Sequence, residues 1–246
     1  SNIEKGLPTI QAIVALLDPL RGSPLAVMEG SVLTALRTAA ASAISAKYMA
    51  PRKTHRINGM STSRIVTGYH ELEIFINNMR GVSRLRTLNK FKNYVEDLGL
   101  TVYVAKDPVD AVRNARVVIE ATTTKEPVIY GDALEPPVHV ISIGAHTRDA
   151  RALDDEVIRK AENIVVDSKK AVIEETGDIR IPCEKGLLSL DKVAELGEVV
   201  AGEKPGRKGD GITIFKSVGL AIQDACAAGL AYKLALERGV GLRVRI

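Results

Sequence analysis

The stretch Arg116–Gly144, RVVIEATTTKEPVIYGDALEPPVHVISIG, decides the fold class. A short apolar run stands at each end, Arg116–Thr122 and His139–Gly144, and both read as fully buried strands of the kind found in parallel sheets. Working upstream, Thr101–Ala105 reads as a strand and Pro108–Asn114 as a short helix with Asp107 as its N-cap. Before them come a short strand at Leu85–Leu88 and helices at Phe91–Leu98 and Ile65–Met79. Downstream follow a helix at Asp154–Lys160, a strand at Asn163–Asp167, and helices at Ser168–Thr176 and Leu190–Ala201. A charged Gly/Pro loop, Glu203–Gly211, leads to a strand at Ile212–Phe215 and a long Ala-rich helix, Ser217–Arg238, stopped by Gly239. Strands alternating with helices of this length predict an α/β chain with a doubly wound parallel sheet.

The amino-terminal part has a different grammar. Thr9–Asp18 and Pro24–Glu29 read as a β-hairpin around the turn Pro19–Ser23. Two strands do not make a stable sheet, so their partners are expected elsewhere in the chain or in another subunit. Leu33–Ala50, LTALRTAAASAISAKYMA, is dominated by good helix formers. Arg37 falls in the first turn of that segment, followed by Thr38 and small residues. Helix N-termini favour anions, and an Arg there adds a bidentate clamp for carboxylate or phosphate. An Ala-rich packing helix whose Arg37 pairs with a local Glu fits the same residues. Pro51–His55 reads as a linker, and the matching composition of the two Ala-rich helices predicts that they pack together.

Composition narrows the function classes. The 246 residues, 46% hydrophobic and 26% charged, suffice for one large or two small domains. No apolar run is long enough to cross a bilayer, and the opening SNIEKGLP is not a charged-then-apolar signal sequence. Cys183 and Cys226 lie far apart, without metal or disulfide spacing, and suit a reducing cytoplasm. The net charge is +4, but the 34 basic residues are spread among 30 acidic ones. With no aromatic interleaving in the basic tail, neither a nucleic-acid nor a membrane partner is expected. No metal-ligand, P-loop or Ser-His-Asp spacing occurs.

Ligands of doubly wound sheets bind beyond the carboxyl ends of the strands. Three strand ends here carry suggestive residues: Thr122, Thr123 and Thr124 after the first run, Gly144-Ala145-His146 after the second, and Ser217 as a prospective N-cap after the last. Ordinary turn chemistry explains the threonines equally well, and a lone loop His is often simply exposed. No G-x-G-x-x-G stands between His55 and Leu72.

The blocks GLPTIQAIVALLD, PLAVMEG, LTALRTAAASAISAKYMA, VVIEATTTKEPVI, ISIGAHTRDARALDDEVI, IVVDSKKAVIEETGDI and ITIFKSVGLAIQDACAAGLAY, in this order, resemble the ornithine cyclodeaminase/mu-crystallin family. The resemblance implies a Rossmann-like dinucleotide-binding domain, residues 55–207, inserted in a substrate/dimerisation α+β domain built from residues 1–54 and 208–246. It also implies a homodimer, NAD or NADP as cofactor, and a small amino or imino acid as substrate. By the same resemblance Arg37 holds the substrate carboxylate and Thr9 lines the substrate pocket. Thr38 lies near the cofactor phosphates, Thr122 and Thr123 line the cofactor crevice, Ile143 and Gly144 flank the nicotinamide, and Ser217 lies near its carboxamide. The sequence begins inside the family pattern: the preceding strands, which carry the family's catalytic Lys and a second substrate Arg, are not in it, so the residues given offer no obvious proton donor. Ser63, Ile65 and Gly68 fall on the three fingerprint positions, and Asn89 where the family carries the Asp that binds the ribose. Arg84 and Arg86 are candidates for a 2′-phosphate. His146 replaces the Asp of the true cyclodeaminases, which favours reduction of a pyrroline-2-carboxylate or alanine/pyruvate type of substrate over cyclisation of ornithine to proline and ammonia. A non-catalytic, ligand-binding relative is the alternative from another class.

Overall fold

The structure is a computed structural model that describes residues 7, 11–51, 57–61, 74–77, 102–122 and 124–244, with backbone alone at 57–61, 74–77 and 102–104. Two compact units divide the chain. One joins Ser1–Ala40 with Gly219–Ile246, and the other runs from Ala41 to Val218. The boundaries of these units fall inside the first helix and just after the last strand.

In the terminal unit, β1 (Ile13–Leu17) and β2 (Pro24–Glu29) form an antiparallel hairpin. Among the described residues no further strand joins it. Helix α1 (Gly30–Met49) begins three residues earlier than Leu33. Gly30 sits there because a Cβ would lie 2.8 Å from that of Ala12, whose carbonyl accepts the Gly30 N–H. The Glu29 carboxylate takes the first free donors, Ser31 N and Val32 N, each at 2.8 Å. Those backbone hydrogen bonds hold its carboxyl below the usual range. Arg37 is consequently two turns inside the helix, and its expected place at the anion-attracting N-terminus is corrected: Glu29 occupies that position.

The central unit holds a six-stranded sheet in the order β3-β6-β7-β10-β8-β9, every neighbouring pair parallel. Its strands are β3 (Ile57–Ser61), β6 (Val117–Ala121), β7 (Val138–Ser142), β8 (Ala161–Val166), β9 (Val193–Glu195) and β10 (Ile212–Lys216). β4 (Ile74–Asn77) and β5 (Val102–Ala105) pair with each other in parallel, and β4 lies alongside β3. The chain thus builds away from β3 on one side and returns to it with β6, the strand-order reversal of a Rossmann-like doubly wound sheet. The short helices are α2 (Pro108–Val112), α3 (Asp155–Lys160), α4 (Lys169–Glu175), α5 (Gly177–Glu184) and α6 (Leu196–Val200). Asp107, Asp154 and Ser168 cap α2, α3 and α4 with their side chains.

Four local expectations are corrected. Ile74–Asn77 is a strand, because Ile-Phe-Ile-Asn pairs its backbone with β5, and Ile57–Ser61, which reads as polar and irregular, pairs with β6. Leu85–Leu88, Phe91–Leu98 and the rest of Ile65–Met79 lie outside the described residues. Leu190–Ala201 is a 3-10 turn, then β9, then α6, since Val193–Glu195 pairs with the edge of β8 and a Glu195/Glu198 capping box starts the helix afresh. The final helix, α7 (Ala221–Arg238), starts four residues after Ser217, because Gly219 at φ +88° takes a backbone conformation that no helix contains.

Strand alternation splits the core into two faces. Val118, Val138, Val140, Ile212, Ile214, Ile164 and Val166 form one, packed with Val157, Val172 and Ile179 of the helices. Val117, Ile119, Ile141, Phe215 and Val165 form the other, packed with Ala41, Ala46 and Met49 of α1. Burial of such side chains contributes roughly 1.5–3 kcal/mol each, which makes the sheet a rigid platform for its strand ends.

Candidate functional site

A row of polar side chains crosses the carboxyl ends of three adjacent strands. Glu120 of β6 is in register with Ser142 of β7, and Ser142 with Lys216 of β10, so all three project from the same sheet face. Each is 0% exposed, as is Asp178 on α5. The Lys216 ammonium lies 2.9 Å from Asp178 Oδ2 and donates to Ser142 Oγ at 3.1 Å. Ser142 Oγ in turn lies 2.8 Å from Glu120 Oε2 and 3.4 Å from Asp178 Oδ2. Asp178 Oδ1 accepts the N–H groups of Ala152 and Leu153, fixing the loop beyond β7. Glu120 Oε1 accepts both the N–H and the hydroxyl of Thr122, each at 2.6 Å. Burial pushes the Glu120 carboxyl above the usual carboxylate range and Asp178 adds to the rise, against the opposing pull of Lys216 and the Thr122 hydrogen bonds.

Above this row the strand ends nearly touch. A Cβ on Gly144 would lie 2.2 Å from Thr122 O and 2.3 Å from Thr122 N, so only glycine fits. Ile143 N donates to Glu120 O, and His146, on the exposed loop beyond, donates from Nδ1 to Gly144 O at 2.8 Å. Ser217 N donates to Ser142 O. The Ser217 hydroxyl donates to Asp167 Oδ2, which also accepts Val218 N. Ser217 is therefore a strand-end residue tied to β8, and its expected role as N-cap of the long helix is corrected. Thr122, Ile143, Gly144 and Ser217 are thus brought together at the carboxyl ends of β6, β7 and β10. Thr123, Gly68 and Asn89, with Ser63, Ile65, Arg84 and Arg86, lie outside the described residues, as does Thr9.

The terminal unit carries a second cluster. Arg37 of α1 donates from Nε to Asp224 Oδ1 at 3.1 Å and from Nη1 to Gln223 Oε1 at 3.2 Å. The extended packing of the two Ala-rich helices that their composition predicts is corrected: these side chains link them, and the last helix lies against β1 instead. Its guanidinium rests against Gly219, where a Cβ would lie 2.6 Å from Nη1. Both anchors come from the first turn of α7, so the guanidinium plane is fixed while Nη2 remains outside these two hydrogen bonds. Thr38 returns its hydroxyl to Thr34 O at 2.7 Å.

Sequence reasoning missed Glu120, Ser142, Asp178 and Lys216. The signal was present for two of them: Glu120 and Lys216 are charges inside otherwise apolar strand runs, and a buried charge demands a partner. Among the described residues no group of three or more His, Cys, Asp or Glu side chains could hold a metal ion, and no helix is long and apolar enough to cross a membrane.

Known proteins provide a third line of observation. The family model described as "Ornithine cyclodeaminase/mu-crystallin family" matches residues 1–239. A Δ1-pyrroline-2-carboxylate reductase of Bacillus cereus is 38% identical over 250 residues, covering 99% of this chain and 77% of that protein. The structure of Thermococcus litoralis Δ1-pyrroline-2-carboxylate reductase in complex with NADH and L-proline aligns with a TM-score of 0.88 at 38% identity, over 99% of this chain and 77% of that one. An archaeal alanine dehydrogenase dimer with bound NAD aligns with a TM-score of 0.86 at 34% identity, over 100% of this chain and 77% of that one.

Proposed function

Because the chain belongs to the ornithine cyclodeaminase/mu-crystallin family, we propose that it takes part in NAD(P)H-dependent reduction of a small α-imino acid, of the pyrroline-2-carboxylate or alanine/pyruvate type. The observation that carries this reading is the carboxyl end of the central sheet. There the strand order reverses between β3 and β6, and Gly144 and Thr122 bring bare backbone to the edge. These residues fit a dinucleotide: Thr122, Ile143, Gly144 and Ser217 would hold its nicotinamide end, and the ordered strands beneath keep them in place. A reduced nicotinamide supplies a hydride to an adjacent imine carbon. The chain's own part is to bind and orient. Arg37, anchored by Asp224 and Gln223, offers a guanidinium to the substrate carboxylate, a contact that fixes which atom of a small acid is presented. Relatives with bound NADH and L-proline, or with bound NAD in a dimer, support the cofactor, the substrate class and a homodimer. The domain assignment follows the same logic, with the central unit as the dinucleotide-binding part and the terminal unit as the substrate and dimerisation part.

The test is titration with NADH and NADPH, followed by reduction of Δ1-pyrroline-2-carboxylate to proline. Saturable binding is expected, together with turnover that falls by roughly a hundredfold in Arg37→Ala. Binding of neither cofactor at millimolar concentration contradicts the reading. The alternative, a non-catalytic binding protein, predicts a bound carboxylate without NAD(P)H consumption.

A further inference from the structure

Glu120 is the residue of the buried row that reaches upward. Its Oε2 contacts Ser142, which the Lys216–Asp178 pair brackets, and its Oε1 bends back to take both the N–H and the hydroxyl of Thr122 two residues on. Thr122 is hemmed in on the Gly144 side, where even a Cβ would lie 2.2 Å from its O and 2.3 Å from its N. Gly144 in turn accepts His146 Nδ1 through its carbonyl. One chain of contacts therefore runs from Lys216 and Asp178, under the sheet edge, to the residues that form the edge.

We propose that Glu120 is a positioning residue for the dinucleotide crevice, acting through Thr122 and Gly144, with Ser142, Asp178 and Lys216 holding its carboxyl in place. The inference rests on the reading of that crevice as the cofactor site. Glu120 itself is 0% exposed and lies beneath Thr122, so it acts without touching the ligand. Two acids and one base make up the row, and placing a proton on Glu120 leaves it without net charge. In that state Glu120 donates to Ser142, Ser142 donates to Asp178, and Oε1 still accepts from Thr122. A glutamine reproduces this pattern, since its amide oxygen accepts from Thr122 and its NH2 donates to Ser142. An aspartate keeps the acid but retracts it by one methylene, and an alanine leaves both Thr122 donors without an acceptor.

The experiment compares NADH dissociation constants of the wild-type chain, Glu120→Gln, Glu120→Asp and Glu120→Ala, each measured well below its own melting temperature. Roughly tenfold or weaker binding is expected for Glu120→Asp and Glu120→Ala, as a misplacement of about an ångström implies, with Glu120→Gln within about twofold of wild type. Glu120→Asp carries the test if Glu120→Ala does not fold. A purely structural role lowers melting temperatures and leaves the dissociation constants of the folded variants equal, which overturns the inference. A Glu120→Gln variant that binds as weakly as Glu120→Asp also overturns it. If the wild type binds neither NADH nor NADPH, the crevice reading itself fails, and the two failures are thereby told apart.

Discussion

At the amino ends of β7 and β10, His139 and Thr213 bury a polar pair on one face of the sheet, while at the carboxyl ends of the same strands Ser142 and Lys216 bury another on the opposite face. The two differ in charge. His139 sits between Ser45 Oγ at 3.2 Å and Thr213 Oγ1 at 2.9 Å, and burial lowers its pKa to about 3. Nearby, Arg207 spends its guanidinium on the carbonyls of Met49, Gly209, Gly211 and Val138 and on Thr213 Oγ1, closing the end of α1 against the sheet. This end fastens a helix with a neutral imidazole and one guanidinium, and among the described residues it buries no carboxyl group. The other end concentrates an ammonium and two carboxyl groups directly under the strand tips that a ligand of this fold meets. Burial of a polar residue in a strand therefore does not mark function. What separates the two rows is which end of the strand they occupy and whether buried carboxyl groups stand there.

The largest expected effect comes from the carboxyl end. Gly144→Ala drives a Cβ into the Thr122 backbone and should lower unfolding free energy by roughly 5 kcal/mol or more in urea denaturation. A mild effect would mean that the strand ends are looser than they look. Lys216→Met comes next, stranding Asp178 as a buried carboxylate, with an expected loss of about 3–5 kcal/mol.

The amino end should respond to acid. The folded pKa of His139 lies below the unfolded value, so the unfolded chain binds the proton first. Stability contributed by the neutral ring is intact above about pH 6.5 and falls by about 1.4 kcal/mol per unit as pH drops toward about 3. In His139→Gln that part of the acid sensitivity should vanish from denaturation curves taken at several pH values. Glu120 should give the smallest effect and the opposite slope. Its folded pKa is raised, so the folded chain keeps a proton that the unfolded chain releases, and stability declines as pH climbs from 4.5 through the folded pKa. Glu120→Gln should therefore gain melting temperature relative to wild type near neutral pH, and the gain should shrink toward pH 4.5. An equal offset at both pH values would show that folding does not raise the Glu120 pKa.

The sheet was legible because Arg116–Thr122 and His139–Gly144 are too short and too β-branched to be helices, and their burial on both faces leaves one architecture. Boundaries failed where tertiary pairing overrode local propensity, as at Val193–Glu195, or where a single backbone angle ended an Ala-rich pattern, as at Gly219. Arg37 was legible as a clamp candidate for a reason that did not survive. The structure replaces proximity to a helix terminus with anchoring by Asp224 and Gln223, residues 187 and 186 positions away and invisible to a local reading. The Glu120–Lys216 relation is of the same kind, since each charge is conspicuous in its own strand but nothing local says that β10 returns to lie beside β7.

Hydrogen–deuterium exchange of the chain with and without saturating NADH tests the central claim most directly. The account predicts added protection at the carboxyl ends of β6, β7 and β10, around Thr122, Gly144 and Ser217, with the His139–Thr213 seam unchanged. Protection confined to the amino ends of these strands, or no change anywhere on addition of NADH or NADPH, would contradict it.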